Sequence, residues 1–344
     1  MKILIVKLGA LGDVLRTTPL LTALRSKYPH SEITWVVDKA NADILAGNPH
    51  LKEVLPYTKE ISSEMARRSF DWAINLDKEP EALEVIASAP AKEKAGFGLS
   101  KEGILAPLDA RSDYAYRLGI DDELKFRLNR KTYQQISFEQ AGLVFQGEEY
   151  VFQADGPSEA AANKYLEGLG FHRSKMKPVV GLNTGSGRRF AGKRLPVETF
   201  ARLAEKSATD LGATVLLLGG EDEKERNLEI QKKSKVPVLN TGSHPIRTFA
   251  GIVRQCDVVL TGDTTAMHIA IAVRVPVAAY FASTCASEIE LYGRGIKIVS
   301  DIECAPCYKK VCPIDEKCMS DMEADVLFSA IKLVLSSKGA RTVR

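Results

Sequence analysis

Apolar residues fall along this chain in short, strand-length runs separated by stretches of helical spacing. Lys2 to Lys7 encloses four apolar residues between two lysines, the pattern of a buried strand. A turn carrying Gly9 and Gly12 follows, and then a helix to about Tyr28 with Leu15, Leu20, Leu21 and Leu24 on its apolar side. Pro19 predicts that this helix starts near Thr17 or Thr18, with the proline in its first turn. Glu32 to Val37 and Asp71 to Leu76 read as further strands, Glu79 to Ser88 as a helix, and Lys94 to Gly98 as the start of a strand or loop. Helical patterning returns at Phe138 to Val144 and at Pro157 to Leu169.

A second series then begins. Pro178 to Asn183, Ala213 to Leu218 and the short Pro237 to Leu239 read as strands, and helices are expected from Pro196 to Leu211 and from Ile246 to Cys256. Val258 to Thr284 packs strand, turn, short apolar helix and strand into one stretch, which implies a parallel βαβ unit with a buried helix. Each half thus opens its own parallel α/β series. At 344 residues the chain also exceeds the usual size of one core. The expected architecture is α/β, two Rossmann-like domains facing across a cleft, with the boundary near 160: residues 1–160 and 161–344.

Composition changes this picture little. A formal net charge of +3 is too small to argue for nucleic acid as a partner, though it allows a local basic face for phosphates or an anionic membrane surface. No apolar run reaches the roughly 20 residues of a membrane span. Charge returns at Lys7 and Asp13 in the first apolar run, so the N-terminus reads as a strand rather than a signal peptide, and a cytoplasmic location is expected. The polar stretch 100–135, with Arg111, Tyr114, Arg117, Lys125 and Arg127, offers either a face for an acidic or sugar-rich partner or solvated surface.

The chemistry concentrates where strands end, the place where open α/β sheets bind ligands. Gly9-x-x-Gly12 is not the dinucleotide fingerprint, and Asp13 stands where a pyrophosphate would meet repulsion. Asp13 fits either a helix cap or a group that takes a proton from an incoming hydroxyl. The loop from Thr184 to Pro196 gathers Arg188, Arg189, Lys193 and Arg194 with three glycines, a composition suited to a polyphosphate, without the Gly-Lys-Ser/Thr of a P-loop. Gly219 to Glu223 ends a strand with carboxylates that could hold ribose hydroxyls. Asp263 or Thr264 is a good N-cap, which leaves nearby amides to receive an anion, and His268 falls one turn into that helix. Cys304, Cys307, Cys312 and Cys318 have the spacing C-x2-C-x4-C-x5-C; a tetrahedral zinc or iron site, a redox-dependent disulfide and unbridged thiols all remain open.

Five segments in this order and at these separations resemble glycosyltransferase family 9, the heptosyltransferases of lipopolysaccharide inner-core synthesis. They are ILIVKLGALGDVLRTTPLLTALRSKYP, FDWAINLD, VVGLNTGSGRRFAGKRLP, LLLGGEDEKE and LTGDTTAMHIAIAVRVPVAAYFAST. The cysteine-rich segment also looks like one found in part of the family. The resemblance implies a GT-B fold, with residues 1–160 binding the acceptor and 161–344 binding the nucleotide sugar. It implies an inverting, metal-independent transferase that moves heptose from ADP-L-glycero-β-D-manno-heptose to a Kdo- or heptose-bearing lipid A precursor. Such an enzyme is expected to need no cofactor and to contact the cytoplasmic face of the inner membrane peripherally.

By position, Asp13 resembles the family's general base. Thr184 and Gly185 match residues near the diphosphate, and Lys193 matches the cation that neutralises it. Glu223 falls near the ribose-binding carboxylate, with Glu221 a close competitor. Asp263 matches the carboxylate that orients the donor sugar, and Thr264, Thr265, Ala266, Met267 and His268 follow at the helix start beneath the phosphates. Two positions depart from the family: Thr265 replaces a frequent Gly, and Leu195 a common aromatic. Two other functions stay open: the same fold with another nucleotide sugar or another glycan or protein acceptor, and a non-catalytic, metal- or redox-responsive binding protein.

Overall fold

The structure is a computed structural model that describes residues 1–176, 178–186 and 193–340, without the side chains of 338–340. Arg188 and Arg189 of the basic loop, Arg341 and Arg344, and the side chain of Lys338 lie outside what is described. The chain divides into two compact units, Met1–Gln153 with Ser287–Glu290, and Ala154–Ala286 with Leu291–Arg344.

Unit 1 holds strands β1 (Lys2–Val6), β2 (Glu32–Val37), β3 (Glu53–Pro56), β4 (Phe70–Asn75), β5 (Ala91–Leu99) and β6 (Leu105–Pro107). Its helices are α1 (Leu11–Thr17), α2 (Pro19–Lys27), α3 (Ile61–Met65), α4 (Pro80–Ser88), α5 (Asp113–Arg117) and α6 (Tyr133–Gln140). The sheet order is β3-β2-β1-β4-β5-β6, with only the β5–β6 pair antiparallel. The chain moves outward from β1 through β2 to β3, then returns to the other side of β1 as β4. The order therefore reverses between β1 and β4, the point beyond whose C-terminal strand ends open α/β sheets bind ligands.

Unit 2 repeats the plan. Its strands are β7 (Val179–Asn183), β8 (Thr214–Leu218), β9 (Leu239–Asn240), β10 (Val258–Gly262), β11 (Val277–Phe281) and β12 (Gly295–Val299), ordered β12-β11-β10-β7-β8-β9 and all parallel. The helices are α7 (Gly156–Gly168), α8 (Val197–Leu211), α9 (Lys224–Lys233), α10 (Ile246–Val253), α11 (Thr265–Ala272), α12 (Lys317–Ser320) and α13 (Ala324–Ala340). The order reverses between β7 and β10. Both of these strands are wholly buried, as their unbroken apolar runs require when helices cover both faces.

The structure corrects some sequence expectations. The first helix begins at Leu11 rather than near Thr17, and Pro19 divides it in two, taking the first position of α2. Pro19 has no N–H to continue the helical ladder, but its fixed φ suits a helix start. The helix expected from Phe138 starts at Tyr133, where Thr132 and Gln135 form a reciprocal capping box. The weakly patterned strands β3, β6 and β12 and helices α9 and α13 were not anticipated. α9 is mostly charged, and β12 alternates only weakly in burial, so periodicity gave little signal for either.

Candidate active site

In unit 1 the rim beyond β1 and β4 is built from charged side chains. Asp77, just past the end of β4, is a buried organiser. Its Oδ2 accepts the amides of Leu8 (3.0 Å) and Gly9 (3.3 Å) and lies 3.4 Å from Lys7 Nζ. Asn41 donates to the Leu8 carbonyl from the other side, at 2.8 Å. The turn after β1 is thus clamped between two neighbouring strand ends, and it delivers Asp13 to the first turn of α1. Asp13 Oδ2 accepts the Ala10 amide (3.2 Å), and its Oδ1 pairs with Arg16 Nη2 (2.7 Å). The Asp13 side chain stays 28% exposed, so a substrate can reach it.

Arg16 is itself fixed. Its guanidinium stacks 3.9 Å from the centre of the Tyr133 ring and lies 3.9 Å from Glu288. The Tyr133 hydroxyl meets Thr17 Oγ1 at 2.9 Å. Burial pulls the Lys7 ammonium towards neutrality, but Tyr133, Asp13 and Asp77 outweigh it and hold its pKa above the ordinary lysine value. Asp13 thus accepts the Ala10 amide at the helix start, pairs with Arg16 and remains a partly exposed carboxylate.

In unit 2 the rim beyond β7 and β10 is built from backbone, hydroxyls and small residues. Asn183 Nδ2 donates to the Gly185 carbonyl (3.0 Å), Thr261 Oγ1 (3.1 Å) and Thr264 Oγ1 (3.2 Å), which ties both strand ends to the start of α11. Thr264 is the N-cap of α11, yet its hydroxyl faces Asn183 and Thr261 and does not cap the helix. The first amides of α11 are left without that side-chain acceptor, as an anion site requires. A cavity of about 310 Å³ opens there, floored by Gly185, Ser186, Thr264, Thr265 and Ala266. Gly219, Gly220, Asp222 and Glu223 wall one side, and His244, Ile246 and Phe249 another.

Gly185 lies tight against Glu223. A Cβ there would sit 2.7 Å from the Glu223 carboxyl carbon, so only glycine fits without moving it. Glu223 accepts the Gly220 amide at 2.9 Å and faces the cavity, whereas Glu221 lies on the outer face with Arg194 and Lys224. Lys193 Nζ donates to the Asp263 carbonyl (3.0 Å) and carboxylate (3.3 Å), and His268 Nε2 stands 3.9 Å from the other Asp263 oxygen.

Two expected site residues turn away. The Thr184 hydroxyl donates to Asn227 (2.5 Å) and Leu218, and its amide is also spent on Leu218, so it presents no donor to the cavity. The Met267 side chain is fully buried; only its backbone belongs to the helix start. Conversely, sequence reasoning missed Asn183, Ser186, His244, Ile246 and Phe249. Asn183 carried a faint signal, as a polar residue closing an apolar strand. His244, Ile246 and Phe249 carried none, because only the packing of α10 beside α11 brings them here.

The cysteine loop docks on the end of β11: Cys307 and Tyr308 amides donate to the Ser283 carbonyl, and the Tyr308 hydroxyl accepts the Cys285 amide. Burial and the neighbouring Cys312, Cys304 and Cys307 push the Cys318 thiol up to about 11, so the four thiols are near one another. They are nevertheless free thiols, and among the described residues no three His, Cys, Asp or Glu side chains are arranged to hold a metal ion.

The profile of glycosyltransferase family 9 (heptosyltransferase) matches residues 60–318. The chain belongs to this family. A curated relative, lipopolysaccharide heptosyltransferase 1 of Pseudomonas aeruginosa, is 25% identical over 341 residues, covering 91% of this chain and 87% of its own. A solved family 9 glycosyl transferase from Veillonella parvula has the same fold, with a TM-score of 0.77 at 21% identity over 98% of this chain and 97% of that one. TibC, described as a dodecameric iron-containing heptosyltransferase in complex with ADP-D-β-D-heptose, shares the fold at a TM-score of 0.57 and 13% identity, over 98% of this chain and 76% of that one. The architecture is therefore GT-B, and the chain is a glycosyltransferase of the heptosyltransferase family, which acts in lipopolysaccharide core heptose transfer. No helix among the described residues is long and apolar enough to cross a membrane.

Proposed function

We propose that this protein is an inverting transferase that moves a heptose from ADP-L-glycero-β-D-manno-heptose to an inner-core saccharide of a lipopolysaccharide precursor, at the cytoplasmic face of the inner membrane. The observation that carries the reading is the uncapped start of α11, set over a cavity with Lys193 and Asp263 beside it. The diphosphate is assigned to the α11 amides with Lys193, the ribose to Glu223, and the base to the wall of His244, Ile246 and Phe249. The name of the Pseudomonas relative supports a lipopolysaccharide acceptor, and the ADP-D-β-D-heptose bound to TibC supports an ADP-linked heptose as donor, though not this particular heptose.

In the reaction, the acceptor hydroxyl oxygen attacks the anomeric carbon from the face opposite ADP. The bond from that carbon to the phosphate oxygen breaks, and ADP leaves with the electron pair. The hydroxyl proton passes to the Asp13 carboxylate, which Arg16 and the Ala10 amide hold in one orientation. Charge growing on the leaving diphosphate is met by Lys193 and the helix amides, placed before the reaction begins. No metal is needed for these steps.

Calorimetric titration with ADP, UDP and GDP, repeated on Lys193→Ala, tests the donor assignment. Selective ADP binding, weakened in the variant, is expected. Preference for UDP or GDP would move the function to another nucleotide sugar, a reading that the side chain of Thr265 on the cavity floor favours. The four cysteines have the donor chemistry of a tetrahedral zinc or iron site, and TibC is described as iron-containing; a structural ion here requires the four thiols to draw into a cluster that the described residues do not show. Metal analysis of protein purified without oxidation tests it: about one ion per chain supports the site, and none refutes it.

A further inference from the structure

The loop that runs from β7 towards α8 carries Thr184 at one end and Lys193 to Leu195 at the other. Two consecutive residues of α9 hold those two ends. Asn227 accepts the Thr184 hydroxyl at 2.5 Å, and the Arg226 guanidinium donates through Nη2 to the Leu195 carbonyl. One turn earlier, Glu223 accepts the Gly220 amide and lines the cavity.

Asp263 and Lys193 are placed by different means. Asp263 follows β10 directly, and Gly262 before it rests on the Tyr280 ring of β11, where a Cβ would come 3.0 Å from Cε2. The sheet fixes this carboxylate. Lys193 belongs to no strand or helix. Its Nζ reaches the Asp263 carbonyl at 3.0 Å and carboxylate at 3.3 Å, and that reach depends on where its backbone is held. Leu195, two residues on, is wholly buried, and its carbonyl is turned to Arg226.

The fold bears a cost for this hold. Arg226 is half-buried, and among the described residues its buried Nε has no hydrogen-bond partner. Burial, and then the charge of Arg194, hold its pKa below the ordinary arginine value, and Glu229 and Glu223 offset this only in part. The guanidinium lies 5.7 Å from the centre of the Phe200 ring. For packing alone, an uncharged side chain against that ring would serve.

We propose that Arg226 is a positioning residue of the transfer site: its hold on the Leu195 carbonyl keeps Lys193 aimed at Asp263 and at the leaving diphosphate. This rests on the donor reading above. Arg226 is not among the residues that line the cavity, and it acts through Lys193.

The first test needs no ligand. In the full chain labelled with carbon-13 at the lysine ε-carbons, the Lys193 signal is assigned by its loss in Lys193→Ala. Asp263→Asn shows where that signal goes when the pair is broken. Arg226→Met is expected to move it in the same direction. Arg226→Gln, too short to reach the carbonyl, is the second variant and should do the same. A Lys193 signal that stays in place in the folded variants overturns the proposal.

Calorimetry with ADP on wild type, Arg226→Met, Lys193→Ala and the double variant closes a cycle. Arg226→Met is expected to weaken ADP binding about fivefold alone and less than about twofold in the Lys193→Ala background. Arg226→Lys, which keeps a donor for the carbonyl, should recover most of the loss. Losses that multiply in full overturn the proposal, because a merely structural arginine acts whether or not Lys193 is present. A wild-type chain that binds none of ADP, UDP or GDP ends the donor reading, and the Lys193 signal still decides whether Arg226 positions that lysine.

Discussion

The two sheets share one topology and differ at their rims. Beyond β1 and β4, unit 1 sets side-chain charges: Asp13, Arg16, Asp77 and Lys78, each held by ion pairs, amides or aromatic faces. Beyond β7 and β10, unit 2 sets glycines, hydroxyls and an uncapped helix start, with Lys193 and Asp263 at the edge. The same strand reversal thus yields two kinds of surface. Moving a proton needs one carboxylate in one orientation, and holding a diphosphate needs many weak donors that approach closely. Side chains suit the first task. Backbone freed by small residues suits the second, because a bulkier side chain would fill the cavity.

Substitutions can break this contrast from either side. Asp13→Asn keeps the shape of the unit 1 rim and removes its basicity. Turnover is expected to fall about a thousandfold with ADP affinity near wild type; lost affinity with intact turnover would end the base assignment. Lys193→Ala removes from the unit 2 rim the cation that pairs with Asp263. A loss of about a hundredfold in kcat, with weaker ADP binding, is expected in steady-state and calorimetric assays. Gly185→Ala tests whether small size matters: its Cβ must displace the Glu223 carboxylate, and ADP binding should weaken about tenfold by calorimetry while the Asp13 side is untouched.

The smallest effect concerns stability. Burial, and then the Lys125 charge, push the Lys78 pKa down to about 8 when folded, against an ordinary lysine value of 10.5 when unfolded. Between these values the unfolded chain binds more protons, so this group makes stability rise with pH across that window. Below it the penalty is present in full, and above it the penalty is gone. Lys78→Met should therefore raise the melting temperature by about 2 °C at pH 7, with the gain fading towards pH 10.5. Scanning calorimetry across that range checks it, and a constant gain at all pH values would assign the effect to packing alone.

Much of the fold was legible in sequence because buried parallel strands must be almost wholly apolar. β1, β2, β4, β7, β8, β10 and β11 all stood out for that reason, and glycines and carboxylates after β1, β7, β8 and β10 marked the rims. Strands with little burial to fill, such as β3 and β12, left no such trace. Asp13, Gly185, Lys193, Glu223 and Asp263 were singled out by position through the family resemblance, and the structure adds that Glu223 lines the unit 2 cavity whereas Glu221 does not.

The sequence by itself therefore determined the two α/β series, the strand ends that carry the chemistry and the family. Local apolar patterning and short motifs suffice for these. Only the tertiary structure decided that Asp77 clamps the Asp13 turn, that Thr184 and Met267 face inward, and that His244, Ile246 and Phe249 join the cavity. Each of these depends on contacts between segments far apart in the chain, and the pairing of side chains across a sheet reversal is set by packing that no local spacing records.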